Sequence, residues 1–287
     1  MKTEIRYISQ QNLEDYKKYL SMDNMENMRR QSYHGMVLHT EAEEPVQAIL
    51  IWNDWNYLKT ETGEVERNAE IIEFQADQPE NGKQLLEAFL QEAEKVGIVR
   101  TQFRLPLDWE DARVPMLKAS GFQLEEQENN QMVITVEELT ALPIAKKELL
   151  IQDVISMGEV NMQQFRKAMM TCTQSSITEM PRDLMALPLS WFEPDISSCI
   201  KTEGKVRGLF LIHRTGSGVL ETQLLCGFDQ TNNMGILHMI VHSIQKIQKK
   251  YPPDTFIRIR WNRQQTKHLA QKMLNRKMGD MVIVAER

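Results

Sequence analysis

Cysteine is scarce in this chain: Cys172, Cys199 and Cys226 are three residues, an odd number, widely spaced and all in the second half. This excludes a disulfide framework and a cysteine-based zinc set, and the three are read as reduced thiols. No run approaches the roughly 18 consecutive apolar residues that a membrane helix needs. The opening MKTEIRYISQQ also lacks the apolar core of a signal peptide, so a cytoplasmic protein with no membrane partner is expected. There is no Gly-x-Ser-x-Gly elbow, no P-loop and no complete dinucleotide fingerprint. Hydrolase, kinase and dehydrogenase chemistry is left without its residues. What is present is an ordinary globular composition, 41% apolar and 26% charged over 287 residues, enough chain for about two domains.

The net charge of −6 hides an asymmetry. Residues 1–145 hold 14 Lys+Arg against 27 Asp+Glu, a net −13, and residues 146–287 hold 20 against 13, a net +7. A basic half attracts an anionic ligand by its summed field, and an acidic half repels one. The basic residues of the second half are scattered, without a long Lys/Arg block or a known nucleic-acid module, which argues against nucleic acid.

Periodicity predicts strands at 3–8, 33–39, 46–52, 69–75 and 100–105, helices at 12–20, 81–96 and 114–119, and a closing hairpin of 122–126 with 131–137. After a linker at 141–147 the order restarts. Strands are expected at 148–154, 196–202, 208–213, 219–227, 255–261 and 281–284, and helices at 160–170, 181–187, 233–250 and 264–274. Asp77-Gln78-Pro79-Glu80-Asn81 and Asp229-Gln230-Thr231-Asn232-Asn233 occupy the same place, strand end to helix start, 152 residues apart. The chain reads as a tandem duplication, with domains at 1–140 and 148–287.

This element order, with a strand entering a long helix through a Gln-x-x-Gly-x-Gly-like turn, resembles the GNAT superfamily of N-acetyltransferases in both halves. The resemblance implies an α/β (α+β) fold of two mixed, mostly antiparallel sheets flanked by helices. It also implies acetyl-CoA as co-substrate, no metal, and a small-molecule or protein amine as acceptor. In the family the loop wraps backbone amides of a helix N-terminus around the pyrophosphate, an anion site that needs no basic side chain. Gln230-Thr231-Asn232-Asn233-Met234-Gly235 matches at Gln230 and Gly235, with Asn where the first Gly is usual. Gln78-Pro79-Glu80-Asn81-Gly82-Lys83 keeps only the Gln in register. Pro79 removes an amide and Glu80 adds a negative charge, so the first copy is expected to be a degenerate scaffold.

The resemblance places the pantetheine arm along the end of the preceding strand, at Leu225 and Gly227, and adds Asn262 to the cofactor residues. Glu221, in the same strand, is the candidate base that takes the proton of the attacking amine; the alternative is an ion-pair partner of Arg207 or Arg258. Alternation puts Glu221 on one face with Val219, Gln223 and Leu225. Trp191 and Phe192 are the candidates for the acceptor wall, against a packing role. The proton donor of the family has no counterpart. The matching positions are Leu117, Leu269 and Asn275, and His268 is a neighbouring substitute. His238 and His242 have the i, i+4 spacing of zinc ligands but lack the intervening Glu and a third ligand. The rival reading is a catalytically inactive tandem protein acting as an acyl-CoA or small-ligand sensor or interaction module.

Overall fold

The computed structural model describes residues 3–40, 45–58, 64–146, 153–174, 184, 186–228, 233–261, 267–268, 270–272 and 280–287. The chain divides into two compact units, residues 1–128 with 280–287, and residues 129–279.

The first unit begins with β1 (Thr3–Ile8), a 3-10 turn at Leu13–Tyr19 and α1 (Met22–Arg29), whose start is capped by Ser21 accepting from the Asn24 amide at 3.1 Å. β2 (His34–Thr40), β3 (Val46–Leu58) and β4 (Val65–Ala76) form an antiparallel meander, with β3 and β4 longer than alternation alone marks. α2 (Pro79–Lys95) buries Leu85, Leu86, Phe89 and Ala93 as one stripe, and Gly97, at φ 75°, lets the chain turn back into β5 (Ile98–Pro106). β5 runs parallel to β4, and α3 (Arg113–Ala119) and β6 (Gln123–Glu128) follow.

The closing hairpin does not form. β6 stays in the first sheet, while β7 (Gln131–Thr135) pairs antiparallel with a strand of the second. Its end is set by Thr135 and Glu138, a complete capping box that starts α4 (Val136–Ala141), so the strand expected through residue 137 stops two residues early. The expected linker is also structured. Leu139 and Ile144 are buried in the second unit's core, and residues 143–146 make a 3-10 turn.

The second unit continues with β8 (Val154–Ser156), α5 (Met162–Gln174), β9 (Ser198–Thr202), β10 (Lys205–Arg214), β11 (Leu220–Gly227), α6 (Asn233–Lys250) and β12 (Phe256–Arg260). Glu203 and Gly204 take positive φ in the expected β9–β10 turn. Of the strand expected at 148–154, residues 148–152 lie outside the described residues and Val154 opens β8; most of the helices expected at 181–187 and 264–274 also lie outside them. The last strand, β13 (Met281–Glu286), is expected in the second domain but belongs to the first sheet, between β5 and β6. The sheet orders are therefore β1-β2-β3-β4-β5-β13-β6 and β7-β12-β11-β10-β9-β8. The boundary falls at 128/129, with residues 280–287 returned to the first unit, instead of at 140 and 148. The reason is burial: Val282, Ile283, Val284 and Ala285 are all buried, which a central strand requires and an exposed edge does not.

In the first unit the Asp54 side chain, 6% exposed, takes Arg67 at 2.6 Å and His34 at 2.9 Å. Burial pushes its carboxyl up, but the hydrogen bonds from His34 and Arg67 outweigh burial and hold it well below the usual range. A lowered native value stabilises the fold above the unfolded value near 3.9, and this is lost as pH falls through the native one. Asp54→Asn should therefore cost about 2 kcal/mol at neutral pH. The gap to the parent protein should close in acid, as urea midpoints between neutral and low pH will show.

Candidate active site

The second sheet opens between its two parallel strands. Among the described residues β11 and β12 are paired only at Leu220↔Ile257 and Glu221↔Arg258. Against β10, by contrast, β11 is paired through to Gly227. Where the ladder with β12 ends, the Thr222 hydroxyl substitutes for it, donating to the Arg258 carbonyl at 3.5 Å and accepting from the Arg260 amide at 3.4 Å. At this point β11 also bulges. Leu211 faces Leu224 and Ile212 faces Thr222, leaving Gln223 as the extra residue.

The bulge corrects the alternation reading. Leu220 packs in the core under α6, and so does Leu225, five residues on, whereas Leu224 and Cys226 pack in the core under α5. One extra residue reverses every later side chain, so Leu225 does not share the face of Glu221. Glu221 lies directly across from His213, on the side away from Leu220.

Glu221 is buried and belongs to an ion-pair cluster. Its Oε1 is 3.0 Å from Arg260 Nε and 3.8 Å from Arg258 Nη1. Arg258 is thus a partner, as one alternative held; Arg260, two residues on and on the same face, is the closer one. His213 donates from Nδ1 to the Trp191 carbonyl at 2.7 Å, and its ring stacks on Trp191 at 3.6 Å and 9°. Trp191 is therefore brought to the cluster. Phe192 is not: it is 2% exposed and packs edge-on against Phe165 of α5, a core residue and not a wall. The sequence reading missed His213 and Thr222. Their signal, the cross-strand register, is hidden by the bulge.

Gln230, Thr231, Asn232 and Asn262 lie outside the described residues. Asn233 opens α6, an 18-residue helix, and Met234 is largely exposed on its first turn. Gly235 has a packing reason of its own, because a Cβ there would lie 2.6 Å from Ile200 Cδ1. A larger residue at 235 must displace the end of the Ile200 side chain whether or not a ligand binds, so it is a poor probe of binding. The edge of residues 223–227, which has no strand partner on the β12 side among the described residues, and the N-terminus of α6 fit an elongated ligand with amides at one end and an anion at the other.

The first unit repeats the geometry with different charges. β4 also bulges, at Ile72, where its five-pair parallel ladder with β5 ends. Glu70 pairs with Arg104 across those strands, as Glu221 does with Arg260. At the helix start, Pro79 holds the first position, Glu80 the first turn, and Asn81 donates to Asp77 at 2.8 Å. Two carboxylates stand where an anion would have to bind.

The remaining candidates resolve into structure. Leu117 is in the first core and His268 is exposed, while Leu269 and Asn275 lie outside the described residues. His242 Nε2 lies 3.2 Å from Ser156 Oγ, and burial followed by Lys246 lowers its pKa. The three cysteines are buried. Cys172 and Cys226 are in sulfur contact, and burial pushes the Cys199 thiol up to about 12, so it stays protonated. No helix among the described residues is long and apolar enough to cross a membrane.

No family model matches the chain, and no curated protein matches it by sequence. Solved structures do match. A tandem GNAT protein from the clavulanic acid biosynthesis pathway superposes with TM-score 0.65 at 8% identity, covering 100% of this chain and 98% of that one. A GCN5-related N-acetyltransferase from Sphaerobacter thermophilus gives 0.58 at 8%, covering 99% and 95%. A probable N-acyltransferase from Enterococcus faecalis gives 0.53 at 11%, covering 100% and 72%. The chain has the tandem GNAT fold, as its element order implies.

Proposed function

We infer that the protein is an acyl-CoA-dependent N-acyltransferase, with acetyl-CoA as donor and a primary amine as acceptor, and that the chemistry runs in the second unit. The observation that carries this is the parting of β11 from β12 directly beside Glu221, with the α6 N-terminus just beyond. The residues that would hold acetyl-CoA are the backbone of Leu225 and Gly227, the turn Gln230-Thr231-Asn232-Asn233-Met234-Gly235, and Asn262. When bound, acetyl-CoA would supply the thioester carbonyl that the amine attacks; the C–N bond would form as the C–S bond breaks and coenzyme A leaves as its thiolate.

Glu221 receives the proton that the amine loses, and its fixed position between two strands orients that nitrogen. Arg260 holds the carboxylate in place. Trp191, stacked on His213, walls the acceptor side. The net +7 of the second half adds attraction for a polyanionic donor, and the first unit, with Asp77 and Glu80 at its helix start, serves as scaffold.

Calorimetric titration with acetyl-CoA, repeated on Thr231→Glu, tests the reading. A carboxylate in the turn should weaken binding at least about tenfold. Absence of binding by the parent protein at millimolar acetyl-CoA would end the acyltransferase reading. One observation favours a non-catalytic protein instead: the Glu–Arg pair recurs in the first unit, where a brace between parting strands accounts for it fully.

A further inference from the structure

The two copies of the Glu–Arg pair differ in what surrounds them. In the first unit, β5 and β13 bring Arg100, Gln102 and Arg104 beside Glu70 and Glu286. Arg104 pairs with Glu70, and Glu286 takes Arg100 at 2.5 Å and Gln102 at 2.9 Å. Two guanidiniums meet two carboxylates, and the cluster is neutral.

The registers give the corresponding positions in the second unit. Glu70 faces Gln102 as Glu221 faces Arg258, and Glu286 faces Gln102 as Val133 faces Arg258. The second carboxylate has thus become Val133, 50% exposed, and the neutral Gln102 has become an arginine. Arg100 corresponds to Phe256, 54% exposed, on the same face. Arg260 is engaged by Glu221 at 3.0 Å. Arg258 reaches Glu221 only at 3.8 Å, beyond hydrogen-bond distance, and its side chain, 25% exposed, has no other partner among the described residues. A guanidinium held beside the candidate base, with its donors open to a ligand and apolar side chains alongside, is built for a planar anion.

We propose that the acceptor is an amine carrying a carboxylate next to the amino group, as in an amino acid, with Arg258 holding the carboxylate while Glu221 faces the amine. This rests on the acyl-transfer reading of the same site. Polyamines and other multiply cationic acceptors are disfavoured, because they would bring further positive charge against Arg258.

A matched set of acceptors tests this: phenylalanine, its methyl ester and phenethylamine, with acetyl-CoA as donor. Phenylalanine should be preferred over both by about 10- to 100-fold in kcat/KM. Arg258→Gln, which installs the first unit's residue, should erase the preference by slowing phenylalanine at least about tenfold more than phenethylamine. Val133→Glu, which restores the first unit's neutral balance at an exposed edge-strand position, should reverse it. Equal use of the three amines, or an equal loss for all in Arg258→Gln, would overturn the proposal.

Binding of N-acetylphenylalanine and N-acetylphenethylamine, measured without donor, separates this outcome from failure of the acyltransferase reading. The acid should bind at least about tenfold more tightly, and only in proteins that keep Arg258. If neither compound binds, or both bind alike, the carboxylate site is refuted whatever the catalytic result. If the acid binds selectively but no amine is acetylated, the anion site stands and the catalytic reading falls.

Discussion

Deleting residues 280–287 should unfold the first unit and leave the second folded. β13 joins the edge strand β6 to the rest of the first sheet, paired over five residues with β5 and six with β6. Val282, Ile283 and Val284 are at most 7% exposed, and Ile283 and Ala285 belong to the main core of that unit. Burying each large apolar side chain is worth about 1.5–3 kcal/mol. Losing three of them, together with the ladder on both edges, is comparable with the roughly 5–15 kcal/mol that keeps a domain folded. β6 would also be left with no partner in the first sheet.

The second unit, residues 129–279, is contiguous and keeps all six strands of its sheet. Expressed alone it should give a cooperative urea transition, whereas residues 1–128 should not until a peptide spanning 280–287 is supplied. Hydrogen exchange on the truncated chain will show which sheet is lost. A cooperative transition from residues 1–128 alone would mean that β13 is dispensable. The topology also sets the order of events: the first unit cannot complete its sheet before residues 280–287 are available, so folding involves very long-range contacts and should be slow.

Replacing the candidate base has the second large effect. Glu221→Gln keeps the shape of the side chain and removes the proton acceptor, so kcat should fall by about 10²–10⁴-fold while acetyl-CoA affinity changes little. The duplication supplies the control. Glu70→Gln removes the same charge from the same place in the other sheet, where Arg104 replaces Arg260. Both variants should lose similar stability in urea, since each leaves an arginine without its carboxylate, but only Glu221→Gln should lose turnover. If the two lower activity equally, the pair is a brace in both units and Glu221 has no part in the proton transfer.

Much of this architecture is legible in the residues because its signals are local. The apolar stripes of α2 and α6, the Gly97 stop, the Glu203-Gly204 turn and the 152-residue echo of Asp-Gln at two strand ends depend on near neighbours alone. They suffice for two copies of one mixed fold. The Thr135/Glu138 capping box was equally local, and would have ended the expected hairpin strand at the right residue.

Three things were settled only by tertiary structure. The sequence 281–286 is apolar enough for any buried strand, and nothing within it says which sheet it joins; that choice is made by pairing with residues some 180 positions earlier. The face of each residue after Gln223 depends on a bulge that exists only against β10, so strict alternation misplaced Leu225 and could not bring His213 opposite Glu221. The cluster of Glu221 with Arg258 and Arg260 needs two parallel strands that the chain joins through a long helix. Local propensity fixes the elements because it acts over a few bonds; strand partners, faces and charge pairs are long-range choices, decided by which arrangement buries the most apolar surface and leaves the fewest charges unmatched.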